Sequence, residues 1–450
     1  MSSKAEATER ELSSAPPDAW RWLLLASAGL VLLGASLLLG QDAGSFGLWV
    51  WIVMLIGAVG GGLAIAAAVA WSGARVGTVW TVAVLAVAVL FRVALLPTSR
   101  YLSDDAYRYH WDGKVVSHGI NPYRHPPQDP ALDALRTDAI DRLINHPQVR
   151  TVYPPLAQLY FALGYTLTPG RLLGFQLLVL LSELCAWLLL LGELRRRGRS
   201  PAWILLAAWA PLVMFESYLP GHLDTLGLPW LALLVISLSR DRPTLAGAAL
   251  AVACLIKPLP IIFVPAALYH LGRRKGARFL LVAAAVVAVA YLPVLPAGEG
   301  VVESLWLMAR KWSFNGSLAA GLDALLPQQT ARLAAAAILA ALLLGTVRLG
   351  SDLTTRLLLA MAAFVICTPN LYAWYAVWML PLLVLRPDPP LLALGLLLPF
   401  SEVVNIAWRV DHVWAPPLWP SILLYGVFYP LLIVAAWRRW GMFTQAPVLR

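Results

Sequence analysis

Charged residues and cysteines are scarce in this sequence. Asp, Glu, Lys and Arg make up 13% of its 450 residues, whereas 60% are hydrophobic and the mean hydropathy is +0.72. Soluble globular proteins average roughly a quarter charged residues, so this composition argues against that class and predicts a polytopic membrane protein. The three cysteines, Cys185, Cys254 and Cys367, lie in apolar runs without paired spacing. This is typical of small core residues and indicates neither a disulfide framework nor a zinc site.

The net charge of +10 would suggest a nucleic-acid partner in a soluble protein, but here we predict none. The basic residues form short clusters between apolar runs, as in the cytoplasmic loops of membrane proteins. The clusters are Arg195-Arg196-Arg197-Gly198-Arg199, Arg240 with Arg242, Arg273-Arg274-Lys275, Arg348 with Arg356, Arg386 and Arg438-Arg439. All of them fall on one side if both termini are cytoplasmic. We therefore predict a multi-pass protein of a bacterial inner or plasma membrane.

Hydropathy divides the chain into a tail and one transmembrane domain. Residues 1–19 are polar and predict a disordered cytoplasmic tail. Residues 20–450 predict a single all-α domain, a polytopic transmembrane helix bundle with about 12–14 membrane segments. Three apolar runs precede a polar region, residues 98–170, which we expect to be extracytoplasmic and to contain interfacial helices. The run 244–270 is interrupted by two prolines beside Lys257 and predicts two short helices that turn back within the membrane.

The stretch 101–123, YLSDDAYRYHWDGKVVSHGINPY, is too polar to lie in hydrocarbon. In one interpretation it is a capped interfacial helix, in which Ser103 precedes Asp104 and Asp105 in the first turn and Asp104 is spaced to pair with Arg108. In the other, one carboxylate is a general base. Adjacent helical side chains point about 100° apart, so one aspartate can face a cavity while the other braces it.

This array, followed by Asn145-His146-Pro147 and Tyr153-Pro154-Pro155, resembles bacterial polyprenol-phosphate-sugar-dependent glycosyltransferases of the GT-C superfamily, nearest to the GT87-like mannosyltransferases. The resemblance implies a GT-C-like fold with the catalytic acid in the first large external loop. It implies transfer of a hexose, mannose above all, from a polyprenyl-phosphate donor to an extracytoplasmic lipid, glycan or protein. It also implies that Asp104 or Asp105 is the base, with Asp104 favoured as the first of the pair, in a single displacement.

Cations that could bind the donor phosphate are Arg108, Lys257, Arg310 and Lys311. Lys257 is the most informative because an intramembrane ammonium needs an anion, although a lysine at a helix end can instead extend its ammonium to the interface. Arg310 and Lys311 lie between tryptophans and are typical of interfacial anchors.

Further candidates for binding the donor phosphate or sugar are Tyr107, His146, Glu216, His222 and Asp224. The last three could hold a metal ion, but sugar-hydroxyl recognition or support of the base is the favoured interpretation. We expect no metal site and no covalently bound cofactor, with the polyprenyl-phosphate sugar as donor substrate. The aromatic group Tyr372, Trp374, Tyr375 and Trp378 fits an interfacial belt or a sugar-stacking surface.

The alternative function is a secondary transporter or lipid flippase. Such proteins carry ionisable residues at mid-membrane, and Glu183 and Lys257 are the candidates here.

Overall fold

The computed structural model describes residues 19–39, 46–96, 103–219, 221–301, 303–411 and 413–444. Within them the chain is helical and contains no named strand, which confirms the predicted all-α class. The tail expected at 1–19 lies outside the described residues, apart from Ala19.

The α-helices of six or more residues are α1 (Ala19–Leu39), α2 (Phe46–Ser72), α3 (Thr78–Leu95), α4 (Asp105–Ser117), α5 (Pro155–Leu167), α6 (Leu173–Arg196), α7 (Leu228–Ser239), α8 (Pro243–Ile256), α9 (Val264–Tyr291), α10 (Glu303–Lys311), α11 (Leu318–Leu325), α12 (Gln328–Leu349), α13 (Leu353–Cys367), α14 (Leu380–Leu385), α15 (Pro389–Leu397), α16 (Val404–Asp411) and α17 (Trp419–Thr444). Shorter helical segments, including 3₁₀ turns at Leu223–Gly227 and Leu398–Val403, connect them.

Among the described residues, seven helices are long and apolar enough to cross a bilayer. They are Ala19–Leu37, Val50–Ser72, Thr78–Leu95, Leu173–Arg196, Gln328–Leu349, Pro389–Trp408 and Trp419–Arg438. Two consecutive helices form a pair that is bent by 101°. With this pair counted as one segment and four shorter apolar helices added, the described chain contains twelve apolar helical segments. Exposed leucines and valines, such as Val79 and Leu281, give these helices outward faces suited to lipid rather than water. The chain is a multi-pass membrane protein.

The interruption at Lys257 turns the chain back on itself. Helix α8 ends at Ile256, Lys257 is extended, and a 3₁₀ turn at Leu259–Phe263 leads into α9. After the turn, His270 Nε2 lies 3.1 Å from the Leu238 carbonyl, and Lys275 pairs with Asp241. Both ends of this excursion therefore lie at the same end of the bundle, while Lys257 lies at its far tip.

Basic side chains gather at that end around one buried carboxylate. The Glu193 side chain is 0% exposed and accepts hydrogen bonds from Arg196 at 2.6 Å, Arg197 at 2.7 Å and Arg240 at 3.2 Å. Helix α6 runs from the end of the polar region 98–170 to this cluster. It has 24 residues, which corresponds to a length of about 36 Å. The basic clusters and the stretch around Asp105 thus lie at opposite ends of the bundle.

A second buried ion pair joins helices α3 and α6. Arg92 binds Glu183 through both carboxylate oxygens, at 2.6 and 3.1 Å, and both side chains are 0% exposed. The Tyr218 hydroxyl donates to Glu183 at 2.9 Å, and Arg92 donates to the Ala208 carbonyl at 2.6 Å. Glu183, which the sequence offered as a possible transport ion, is therefore part of a complete structural network.

We expect Glu183→Gln to destabilise the protein, because Arg92 would keep its charge without a buried counter-ion. Removing one partner of a buried pair typically costs about 3–5 kcal/mol. The thermal midpoint of the detergent-purified protein should fall, and the double variant Arg92→Met/Glu183→Leu should recover most of the loss. A single variant as stable as the wild type would contradict this role.

Candidate active site

Helix α4 begins at Asp105, with Asp104 at its N-cap position. The Ser103 hydroxyl accepts a hydrogen bond from the Asp105 backbone N–H at 3.2 Å. The sequence-based capping interpretation placed both aspartates in the first turn, so the helix starts one residue later than expected. The two carboxylates therefore have different settings, one at the helix cap and one within the first turn.

Helix α4 is held firmly against the rest of the polar region. Lys114 is almost fully buried and donates to Thr137 at 2.9 Å, Asp138 at 2.8 Å and Asp141 at 2.7 Å. On the next helix, α5, the Phe161 carbonyl lies so close to Gly113 that a Cβ atom there would be 2.2 Å from it. Only glycine permits this approach, and the close packing fixes the direction in which α4 presents its first turn.

Arg108 braces the loop opposite α4. Its Nε donates to Asp112 at 2.9 Å and its Nη2 donates to the Val149 carbonyl at 2.9 Å. The sequence predicted a pair with Asp104, but the close salt bridge of this guanidinium is to Asp112. Tyr107, on the preceding position of α4, is partly buried.

Asp105 is held by two neighbours from distant parts of the chain. Its Oδ1 accepts a hydrogen bond from Asn145 Nδ2 at 2.7 Å, and its Oδ2 lies 3.7 Å from His222 Nε2. Burial raises the pKa of the Asp105 carboxyl, and the hydrogen bond from Asn145 opposes that rise. A carboxylate with a raised pKa that is fixed through one oxygen is well suited to accept a proton.

Behind Asp105 lies a buried imidazole and a second carboxylate. His222 Nδ1 is 3.3 Å from Glu216 Oε2, and both residues are 1% exposed. The His222 backbone N–H donates to the Glu216 carbonyl at 2.9 Å, and its ring packs against Trp374 with centroids 3.8 Å apart. Within the described residues, neither side chain makes a hydrogen bond of good geometry. The row Asp105, His222, Glu216 therefore combines fixed positions with unused hydrogen-bonding capacity.

Lys257 reaches the same region from the tip of the α8–α9 turn. Its ammonium donates to Asp224 at 2.7 Å and lies 4.5 Å from the Tyr375 ring centroid. Asp224 is 0% exposed and also accepts from Trp378 Nε1 at 2.6 Å. The anion that an intramembrane lysine requires is thus supplied by the protein itself.

Two cavities meet at Asp105. The acidic cavity, about 400 Å³, is lined by Asp104, Lys311, Glu402 and Asn405 among others. The basic cavity, about 110 Å³, is lined by Arg108, Arg150 and Lys257 together with apolar side chains. Their shared lining comprises Asp105, Asn145, His146, Trp312, Tyr372 and Trp374. The candidate base therefore faces two chambers of opposite electrostatic character.

Aromatic rings form one side of the acidic cavity. Trp374 stacks on Tyr372 with centroids 4.3 Å apart and planes 7° from parallel, and Tyr372 stacks on Phe314 at 4.7 Å. Trp414 lies 5.5 Å from Phe314 and also lines the cavity. Because their faces are occupied by one another, Phe314, Tyr372 and Trp374 form a rigid apolar wall of the cavity, and the partly exposed Trp414 adds apolar surface beside them.

The structure brings most sequence-predicted residues together, through Asp105, His146, His222, Glu216 and the Lys257–Asp224 pair. Glu402 and Asn405 are not among the sequence-predicted residues, and Asn145 is among them only as part of a motif. An ionisable residue inside the apolar run 390–406 was an available signal for Glu402. In the part of the chain that the structure describes, no group of three or more His, Cys, Asp or Glu residues is arranged to hold a metal ion.

The chain is similar to a known protein family. A family model described as "Alpha-(1->6)-mannopyranosyltransferase, N-terminal domain" matches residues 23–273, more than half of the chain. The matched part includes Asp105, His222 and Lys257, whereas the aromatic stack and Glu402 follow it. No curated protein matches the chain.

If Asp105 is the base, the transfer rate should fall with decreasing pH, since only the ionised carboxylate accepts a proton. Because burial raises its pKa, the acid limb should lie above the usual range for an aspartate. In Asn145→Ala the pKa-lowering hydrogen bond is lost, so the limb should move to still higher pH. A pH profile of kcat/KM measures both effects.

His125→Ala serves as a control from the same polar region, since His125 pairs with Asp129 and lines neither cavity. Its acid limb should coincide with that of the wild type. An Asn145→Ala profile that also coincides would show that Asp105 does not set the limb.

Proposed function

The chain belongs to the alpha-(1->6)-mannopyranosyltransferase family, and from this we propose that it transfers mannose from a polyprenyl phosphate to a hydroxyl group of an extracytoplasmic acceptor. It is a glycosyltransferase with a multi-pass helical fold. The single observation that carries the finer proposal is the position of Asp105 between a basic and an acidic cavity. The charged leaving group can lie in the basic cavity and the uncharged acceptor hydroxyl in the acidic cavity, with the base between them.

In the proposed reaction the acceptor hydroxyl oxygen attacks C1 of the donor mannose. The Asp105 carboxylate takes the hydroxyl proton as the new C1–O bond forms. The bond between C1 and the phosphate oxygen breaks, and polyprenyl phosphate leaves with the electron pair. One displacement inverts C1, so an α-linked product requires a β-linked donor. Since phosphate is already a stable leaving group, a second carboxylic acid is not required as it is in glycosidases.

We assign the donor phosphate to the basic cavity. Lys257 and Arg150 provide positive charge there, and hydrogen bonds from such groups to an anion are stronger than neutral ones. The Lys257 side chain is 16% exposed, and an anion gains more from a cation that is shielded from water. Arg108 is used largely in bracing the loop around His146 and Val149, so its contribution is mainly positional. Lys311 lines the other cavity and Arg310 lies over Trp306, 5.6 Å from the ring centroid, which fits its anchoring interpretation.

His222 and Glu216 support the base in this proposal. Their buried row beyond Asp105 can keep the carboxylate directed at the acceptor and stabilise it as its charge changes. Among the sequence-based candidates, this geometry favours Asp105 over Asp104, since Asp105 faces both cavities and holds the contacts to Asn145 and His222.

We propose that the basic end of the bundle, around Glu193, faces the cytoplasm and the cavities open on the other side. The support is the tendency of cytoplasmic loops to carry Lys and Arg. The cavities combine residues from both halves of the chain, such as Asp105 and Trp374, which supports a single domain over 20–450. A transporter or flippase has less support, since Glu183 and Lys257 each pair with an opposite charge.

Asp105→Asn should abolish most of the transfer, because the amide cannot take the proton. General-base catalysis contributes about 10²- to 10⁴-fold, and we expect a loss in that range with Asp104→Asn affected less than about tenfold. The assay follows radiolabelled mannose from synthetic polyprenyl phosphate β-mannose to acceptor, using purified protein without an ion gradient. Asp133→Asn is the matched control, since that carboxylate is 66% exposed. Equal losses in the Asp104 and Asp105 variants, or full activity of Asp105→Asn, would refute the assignment.

A further inference from the structure

The acidic cavity receives a second carboxylate from far along the chain. Glu402 lies in the 3₁₀ turn Leu398–Val403, and Asn405 follows it by three residues at the start of α16. The two side chains are 6% and 7% exposed, and both line the cavity. Neither has a role in the displacement at Asp105, so their presence in an apolar segment requires its own explanation.

The pair is internally ordered but incomplete. Asn405 Nδ2 donates to Glu402 Oε2 at 2.6 Å, which fixes the carboxylate. The other oxygen, Glu402 Oε1, is buried and makes no hydrogen bond to any described residue. A buried carboxylate oxygen without a donor is unfavourable. A donor that enters the cavity as part of a ligand would remove that cost.

The surroundings of Glu402 match the two kinds of surface that a pyranose presents. The rings of Phe314, Tyr372 and Trp374 stack on one another and form a rigid apolar wall, beside which Trp312 and Trp414 line the cavity while 37% and 42% exposed. These two indoles offer apolar surface for the C–H side of a sugar ring. Glu402 and Asn405 offer an acceptor and an amide for its hydroxyl groups. The volume of about 400 Å³ lies within the range of small-molecule sites.

Electrostatics separates this cavity from the donor phosphate. The acidic cavity is lined by two carboxylates of its own, Asp104 and Glu402, against the ammonium of Lys311, whereas the cations Arg108, Arg150 and Lys257 line the other chamber. An uncharged saccharide is therefore the ligand that the acidic cavity favours.

We propose that Glu402 and Asn405 form the acceptor subsite, in which the Glu402 carboxylate accepts hydrogen bonds from ring hydroxyls of a terminal acceptor sugar while the C–H face of that sugar packs against the exposed indoles Trp312 and Trp414. This proposal rests on the proposed function, because it takes the acceptor to be a saccharide. It makes the segment after the matched region responsible for choosing the acceptor, and the earlier part responsible for the displacement.

The test uses an alkyl α-mannoside as acceptor probe with the full-length protein in detergent. Equilibrium dialysis of the radiolabelled mannoside measures its binding without any transfer. Glu402→Gln and Asn405→Ala should weaken binding by about 10- to 100-fold, as expected for lost hydrogen bonds to a charged group. The matched control Glu299→Gln changes an exposed carboxylate and should bind like the wild type.

Deoxy analogues of the mannoside identify the contact directly. Removing the hydroxyl that Glu402 binds should weaken binding to the wild type but have little further effect in Glu402→Gln, the non-additivity expected of two groups in contact. Two measurements establish that each variant is folded. It should elute as a monodisperse peak in size-exclusion chromatography, and it should retain slow hydrolysis of the donor in the absence of acceptor.

Transfer assays separate this proposal from the general one. Glu402→Gln should raise the acceptor KM and change kcat much less, since Asp105 remains. Unchanged mannoside binding in Glu402→Gln and Asn405→Ala, or a wild type that does not bind the mannoside, would overturn the subsite. In another outcome, the wild type binds the mannoside in a way that depends on Glu402 but transfers nothing from polyprenyl phosphate mannose. That result would refute the proposed donor and leave the subsite in place.

Discussion

Pairing of buried charge is the constraint on which this structure depends. An ionised group inside an apolar bundle is stable only with a counter-charge and full hydrogen bonding. Glu183 and Glu193 meet this condition through arginines, and Asp224 meets it through Lys257 and Trp378. These acids hold helices together and have little capacity left for a ligand.

Three acids that form no salt bridge with a lysine or arginine of the described residues lie close together. Asp105, Glu216 and Glu402 come from three separate segments, and each lies at or beside the cavities near His222 and Trp374. A ligand bound in these cavities would supply contacts that the three acids lack.

The sequence predicted much of the fold because its signals were local. Apolar runs of membrane length, the prolines after Lys257 and the polar stretch around Asp105 each act through nearby residues. The Arg92–Glu183 ion pair and the cavity around Glu402 and Asn405 could not be predicted from neighbouring residues in this way. Arg92 and Glu183 lie 91 residues apart, and the cavity that contains Glu402 also needs α4, so only packing of distant helices reveals either. Choosing between the adjacent Asp104 and Asp105 requires knowing at which residue helix α4 begins. The sequence predicted that start one residue too early.

Each cation of the basic cavity already has a protein counter-ion. Arg108 pairs with Asp112, Lys257 with Asp224 and Arg150 with Glu303; the three cations line the chamber, whereas these carboxylates do not, so the positive charge of the lining is partly offset from behind. In the proposed reaction the donor phosphate would share these cations with carboxylates of the protein, and this sharing would limit how tightly the phosphate is retained. A site of that kind would release the spent lipid carrier more readily than one with unpaired cations.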